Sequence, residues 1–213
     1  MIVLADNDII LKLAQCDLLD SLDVILGVNN HEILISTTAR FQLMPKNTQK
    51  ELSKCGNDET VARVKRFLLV AKDVPVVNDL DLLVRLSDIP GIDSGEQQLF
   101  ASTATVDGSL LITGDKKALR AVALNQATIE VVYKALLGNV ITFESALLLA
   151  LQTYGFPVLK QKLLACPKPD KMLQLVLRPD MTEAALSECL VSYTKEFFAM
   201  LASKDRLPES LRS

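Results

Sequence analysis

The sequence predicts an α/β fold, a mostly parallel sheet with right-handed crossovers, followed by a helical C-terminal extension. Three observations carry the prediction. Ile2-Val3-Leu4-Ala5, Ile33-Leu34-Ile35 and Ser109-Leu110-Leu111-Ile112-Thr113 are short, largely apolar runs of the kind that form strands buried on both faces. Stretches with apolar residues at helical spacing separate them. Beyond Thr142 the pattern is helical, punctuated by Pro157, Pro167, Pro169 and Pro179. The implied division is an α/β domain over residues 1–155 and a helical extension over 156–213.

Each element has its own signal. The first strand is closed by Asp6-Asn7-Asp8, after which Ile9, Ile10, Leu13 and Ala14 mark a helix. Leu18, Leu19, Leu22 and Leu26 continue the periodicity in a second helix. Residues 40–72 are helical and basic, broken at Cys55-Gly56-Asn57-Asp58. Val74-Pro75-Val76-Val77 is extended, and its proline suits a sheet edge or a connection. A helix over 79–87 ends in the turn Asp88-Ile89-Pro90-Gly91. Asp93-Ser94-Gly95-Glu96 opens the next helix, which carries Leu99, Phe100 and Ala104. Gly114-Asp115 then turns the third strand into a helix over 116–124. Leu186, Leu190, Tyr193, Phe197 and Leu201 recur at steps of three or four and stripe a helix over 182–203. That stripe is expected to pack on its own domain, with a dimer or partner surface as the alternative.

Composition narrows the chemistry. A chain of 213 residues that is 49% apolar needs neither disulfides nor a structural metal to hold a core. No apolar run approaches the ~20 residues that cross a bilayer. Residues 1–5 lack a basic leader, so a cytoplasmic location without membrane association is expected. The single histidine, His31 in the polar turn Asn29-Asn30-His31-Glu32, reads as a surface residue. It cannot supply a histidine pair for metal-free ribonuclease chemistry or a His-rich zinc site. Cys16, Cys55, Cys166 and Cys189 show no C-x-x-C spacing and are expected to stay reduced and structural. Chemistry is left to carboxylates, lysines or a metal that carboxylates hold.

Three acids share one structural address. Asp6 follows the first strand, Asp115 follows the third, and Glu96 lies in the first turn of the helix preceding the third. Sites in parallel α/β sheets form outside the carboxyl ends of strands. Carboxylates gathered there repel one another, a cost that a divalent cation offsets. Mg²⁺ and Mn²⁺ prefer oxygen ligands and retain waters, so a few carboxylates suffice. The same residues also have purely structural roles. Asp6 and Asp115 stand at N-cap positions, and Asp93-x-x-Glu96 spells a capping box.

Over residues 1–153 these features resemble the PIN-domain nucleases. The opening Ile2-Val3-Leu4-Ala5-Asp6-Asn7-Asp8-Ile9-Ile10-Leu11-Lys12-Leu13 is similar to the family's strand–Asp–helix start. More specific is Asp93-Ser94-Gly95-Glu96-Gln97-Gln98-Leu99-Phe100-Ala101 followed by Leu110-Leu111-Ile112-Thr113-Gly114-Asp115-Lys116-Lys117-Ala118-Leu119, an acidic helix start and then an apolar strand ending in T-x-D. Gly138-Asn139-Val140-Ile141-Thr142-Phe143-Glu144 looks like the closing segment of some members. The resemblance implies a three-layer αβα architecture and a metal-dependent endoribonuclease. Asp6, Glu96 and Asp115 would be catalytic, and together with Asp93 would bind Mg²⁺ or Mn²⁺. The substrate would be single-stranded RNA, or DNA, cleaved to 5′-phosphate and 3′-hydroxyl ends. Many such nucleases resemble toxins, which implies an antitoxin-like protein partner; a homodimer is the other association to test.

The resemblance departs at one place. Many members carry a glutamate shortly after the second strand, where Thr37-Thr38-Ala39-Arg40-Phe41 offers no acid and Glu51 lies about ten residues too far on. Either Asp93 and Glu96 complete the metal site, or the chain is a weak or inactive member kept for binding or assembly. A haloacid-dehalogenase-like phosphatase is the other alternative, from Leu4-Ala5-Asp6-Asn7-Asp8, with Asp8 as its acid. The acid that family needs after Asp115 is replaced by Lys116-Lys117-Ala118-Leu119-Arg120. Candidate nucleic-acid contacts are Lys46, Lys50, Lys116 and Lys117. Lys46, Lys50 and Lys54 recur every four residues, as on one helical face, with Arg63, Lys65, Arg66 and Lys72 beyond. Local charge of this kind matters more for binding than the net −3. An ordinary solvated face is the plain alternative.

Overall fold

The computed structural model describes residues 1–28 and 31–212. Its sheet has five strands: β1 (Ile2–Ala5), β2 (Glu32–Ile35), β3 (Lys72–Asp73), β4 (Leu110–Thr113) and β5 (Val140–Thr142). All pairings are parallel, in the order β3-β2-β1-β4-β5. Helices therefore carry every crossover. Between β1 and β2 lie α1 (Asn7–Gln15) and α2 (Leu22–Leu26), and between β2 and β3 lie α3 (Ala39–Leu43), α4 (Thr48–Cys55) and α5 (Asp58–Val70). The chain returns to β4 through α6 (Leu80–Ser87) and α7 (Ser94–Thr105), then reaches β5 through α8 (Lys116–Leu124) and α9 (Glu130–Leu136). The extension follows as α10 (Phe143–Tyr154), α11 (Phe156–Leu164), α12 (Lys171–Val176) and α13 (Glu183–Thr194). This is the expected three-layer αβα arrangement with helices added at its C-terminal end.

The central strands are apolar because both their faces are covered: Val3, Leu4 and Ala5 have no exposed surface. Leu4 sits between Leu34 and Leu111 in the ladder. From β1 the winding goes outward to β2 and β3, then crosses back to β4 on the other side. The reversal falls between β1 and β4, the kind of place where such sheets form sites.

Some elements differ from expectation. The extended piece around Pro75 pairs earlier than expected, at Lys72–Asp73, and Val74 N adds one hydrogen bond to Ile35 O (2.9 Å). Pro75, with no N–H to give, falls outside the ladder. The second helix opens as a 3₁₀ turn over Leu19–Ser21. The tail helix stops at Thr194, not 203, and passes through a 3₁₀ turn at Lys195–Phe197. Leu201 then forms a parallel bridge with Val140, with Val140 N bonded to Met200 O (2.9 Å) and Ala202 N to Val140 O (2.8 Å). The striped segment thus changes from helix to strand-like pairing along the outer edge of β5.

Leu186, Leu190, Phe197 and Leu201 are buried as expected, while Tyr193 stays 37% exposed. They share one core with α10, a helix apolar nearly all round, as suits a fully buried position. Asn29 and Asn30 lie outside the described residues, and His31 is half-buried. All four cysteines are free thiols. Among the described residues no helix is long and apolar enough to cross a membrane.

Candidate active site

Neighbouring strands deliver the first two acids. Ala5 pairs with Ile112, and Asp6 N donates to Ile112 O (3.0 Å), so Asp6 and Asp115 emerge side by side at the carboxyl ends of β1 and β4. One hydroxyl ties them together. Thr113 Oγ1 donates to Asp6 Oδ2 (3.3 Å) and accepts from Asp115 N (3.0 Å). Asp115 also fills its structural role, its Oδ1 accepting from Lys117 N (2.8 Å) and Ala118 N (3.0 Å). Asp6 does not: it occupies the N-cap of α1 without any side-chain capping bond. Its carboxyl is pushed up to about 6, first by burial and then by Asp8, with Asp115 adding to the effect.

Glu96 arrives from α7. Both arms of the capping box form, Glu96 N to Asp93 Oδ1 (2.9 Å) and Asp93 N to Glu96 Oε2 (2.7 Å). The box turns Glu96 inward, leaving it 7% exposed, while Asp93 faces solvent. The Glu96 carboxyl hydrogen-bonds to Asp115 and is pushed up to about 8, chiefly by burial, with the charges of Asp115 and Asp93 adding to it. Asp115 is therefore the meeting point of Asp6 and Glu96. None of the three forms an ion pair among the described residues. No three His, Cys, Asp or Glu side chains there form a ready-made ligand cluster.

Asp8 acts on Asp6 by charge but is itself ion-paired. It pairs with Lys12 (2.7 Å) and packs on Gly114, where an added Cβ would come within 2.2 Å of Asp8 Oδ2. A larger residue at 114 would push the Asp8 carboxylate from this position. Lys12 in turn reaches Asp170 of the extension (2.8 Å), which caps α12 through Met172 N (2.8 Å). The extension thus reaches the rim of the site.

Several residues here were not singled out from sequence. Asn7 Nδ2 donates to Gln42 Oε1 (2.6 Å) on α3, whereas Asn7 Oδ1 is buried without a hydrogen-bond partner. Gln42, a neutral amide on α3, thus binds the residue that follows Asp6. Glu51 is no substitute, because it is paired with Lys65 (2.8 Å). Thr113 was legible as part of T-x-D; Asn7, Gln42, Lys12 and Asp170 had no local signal for this role.

The basic candidates divide. Lys116 is engaged, bonded to Glu144 (2.6 Å) with its ammonium 4.5 Å from the Tyr193 ring centroid. Lys117 and Lys50 are exposed. Lys46 is exposed too, but the shared helical face fails, because Asn47 caps α4 by accepting from Lys50 N (3.1 Å) and leaves Lys46 outside the helix. Lys54 Nζ donates to Gln42 O (2.6 Å). Arg63, Arg66 and Lys72 are paired with Asp17, Asp20 and Glu32. Lys50, Lys54 and Lys168 do line one open cleft of about 670 Å³.

Compared with known proteins, the chain matches no family model, no curated protein and no solved structure.

Proposed function

We propose that this chain is a PIN-type, divalent-metal-dependent endonuclease acting on single-stranded RNA. The observation that carries the reading is the set of three acids at the β1–β4 switch point, none ion-paired among the described residues, two of them driven toward the protonated form by burial and by acidic neighbours. An all-oxygen donor set with the unpartnered Asn7 Oδ1 beside it fits a hard cation such as Mg²⁺ or Mn²⁺. When bound, such an ion would neutralise the acids, offset charge developing on a phosphodiester and supply a water deprotonated near neutral pH.

The chain's own residues have separable parts in this. Asp6, oriented by Thr113, and Asp115, fixed by the backbone of Lys117 and Ala118, would hold the ion. Glu96, pushed up to about 8 in the metal-free protein by burial and by the charges of Asp115 and Asp93, would join Asp6 and Asp115 as a ligand, the cation holding it ionised. Lys117, exposed at the start of α8, would meet a phosphate. The phosphatase alternative is disfavoured because Asp8, its would-be acid, is held by Lys12 against Gly114.

A second reading, a PIN-like binding or assembly module without activity, is favoured by Gln42, which offers an amide where a further acid would strengthen cation binding. Incubation with single-stranded RNA and Mn²⁺, beside single-stranded DNA and an EDTA control, separates the two. The nuclease reading expects metal-dependent RNA cleavage with 5′-phosphate ends. Cleavage undiminished in both Asp6→Asn and Asp115→Asn would overturn it. Mn²⁺ binding without cleavage would favour the module.

A further inference from the structure

We propose that Cys16 and Cys166 are a redox-responsive pair that closes to an intramolecular disulfide on oxidation by a hydroperoxide, fastening the C-terminal extension to α1. The proposal does not depend on the nuclease reading. Cys16 is the C-cap of α1 and Cys166 follows α11, and their sulfurs lie 3.8 Å apart. The sulfurs are already within about 2 Å of the bonded ~2.05 Å separation. Both are nearly buried, at 1% and 9% exposure. A cavity of about 320 Å³ opens beside them, lined by Gln15 and Asp17, which flank Cys16, and by Ala165 and Pro167, which flank Cys166. It brings solvent to the residues on either side of both cysteines. Arg63 and Lys162 line it too, both paired with Asp17.

The two thiols are not equivalent. Cys16 donates its S–H to Cys166, which lowers the Cys166 thiol below its ordinary range and raises that of Cys16. Cys166, which receives this hydrogen bond and is the more exposed of the two (9% against 1%), is the nucleophile. Its thiolate attacks a peroxide oxygen and the O–O bond breaks, giving a sulfenic acid and, with a proton, water. Cys16 loses its proton and attacks the sulfenyl sulfur. The S–O bond breaks, the S–S bond forms and a second water leaves. Two thiols and one hydrogen peroxide thus yield one disulfide and two waters.

The polar ties already present at this seam are Lys162 to Asp17, Lys168 to Ser53 O and Asp170 to Lys12. Water competes for each of them, whereas a disulfide across a sequence separation of 150 restricts the unfolded chain strongly.

The test treats the full chain with hydrogen peroxide and reads intact mass, a non-reducing peptide map and thermal unfolding. The mass should fall by two hydrogen atoms, a Cys16–Cys166 peptide should appear and revert with dithiothreitol, and the unfolding midpoint should rise by at least ~5 °C. Cys166→Ser should abolish the cross-link, whereas Cys55→Ser and Cys189→Ser should keep it. The wild-type map decides the matter even where a variant folds poorly. Sulfinic acid at Cys166 without a cross-link, both thiols still alkylated after unfolding, or a bridge through Cys55 or Cys189 would each overturn the proposal.

Discussion

α7 and α10 begin alike. Each opens on a capping box, Asp93 with Glu96 and Thr142 with Ser145, and each buries a glutamate in its first turn. Glu96 is 7% exposed and Glu144 3%. Their partners differ in sign. Glu144 meets the ammonium of Lys116 at 2.6 Å, while Glu96 meets Asp115 and its carboxyl rises to about 8. A buried charge is normally paired, because desolvation alone would neutralise it. The start of α10 satisfies that rule from within the chain. The start of α7, facing the β1–β4 switch, does not, and an external cation would complete it.

Mutation can break this contrast from either side. The largest effect is expected from Asp6→Asn or Asp115→Asn, each lowering metal-dependent RNA cleavage by at least ~100-fold in a single-turnover assay. Asn keeps the capping bonds of position 115, so the fold should survive. Next is Glu144→Gln, which strands the Lys116 ammonium; chemical denaturation should show a loss of about 2–3 kcal/mol. A neutral result there would mean that Lys116 simply swings to solvent, and that the two helix starts are less different than they look.

A comparable effect concerns pH. Asp6 and Glu96 titrate in the fold at about 6 and about 8, against ordinary values of 3.8 and 4.5. Folding therefore takes up protons. The stabilisation this gives is fully present below the unfolded values and is lost as pH rises through about 6 and then about 8. For metal-free protein, chemical denaturation between about pH 5 and pH 9 should show a decline of a few kcal/mol, most of it from Glu96, which Mn²⁺ reverses. A flat profile would remove the repulsion from the argument.

The smallest expected shift sharpens the comparison most. Glu96→Gln should melt within about 2 °C of the parent near pH 7, because the amide can still accept from Asp93 N. Mn²⁺ affinity, followed by calorimetric titration, should nevertheless be largely lost. Retained affinity would reduce Glu96 to a cap and make Asp93 and Asp8 the next ligands to test.

What the sequence disclosed was local in origin. Apolar runs located β1, β2 and β4, and Asp93-x-x-Glu96 announced a capping box that forms in full. The two roles of Asp6 and Asp115 could not be separated in advance, because only the fold shows Asp115 capping and Asp6 not. The four-residue lysine spacing misled because Asn47 starts α4 after Lys46. The link from Asp8 through Lys12 to Asp170 joins distant parts of the chain, and no periodicity encodes such a meeting. The apolar steps of the tail stripe stayed in register past Thr194, where helix gives way to the pairing at Leu201.

That pairing has a consequence for assembly. An exposed strand edge is a template on which a further strand can be laid. With Leu201 lying along β5, the sheet has one margin already occupied; the other, at β3, is only two residues long and carries Lys72 and Asp73. Growth by edge addition needs two open margins, one to receive and one to offer. Among the described residues the β5 margin is partly covered at Val140, so β3 is the more open place for a second copy to pair, and such pairing joins two sheets.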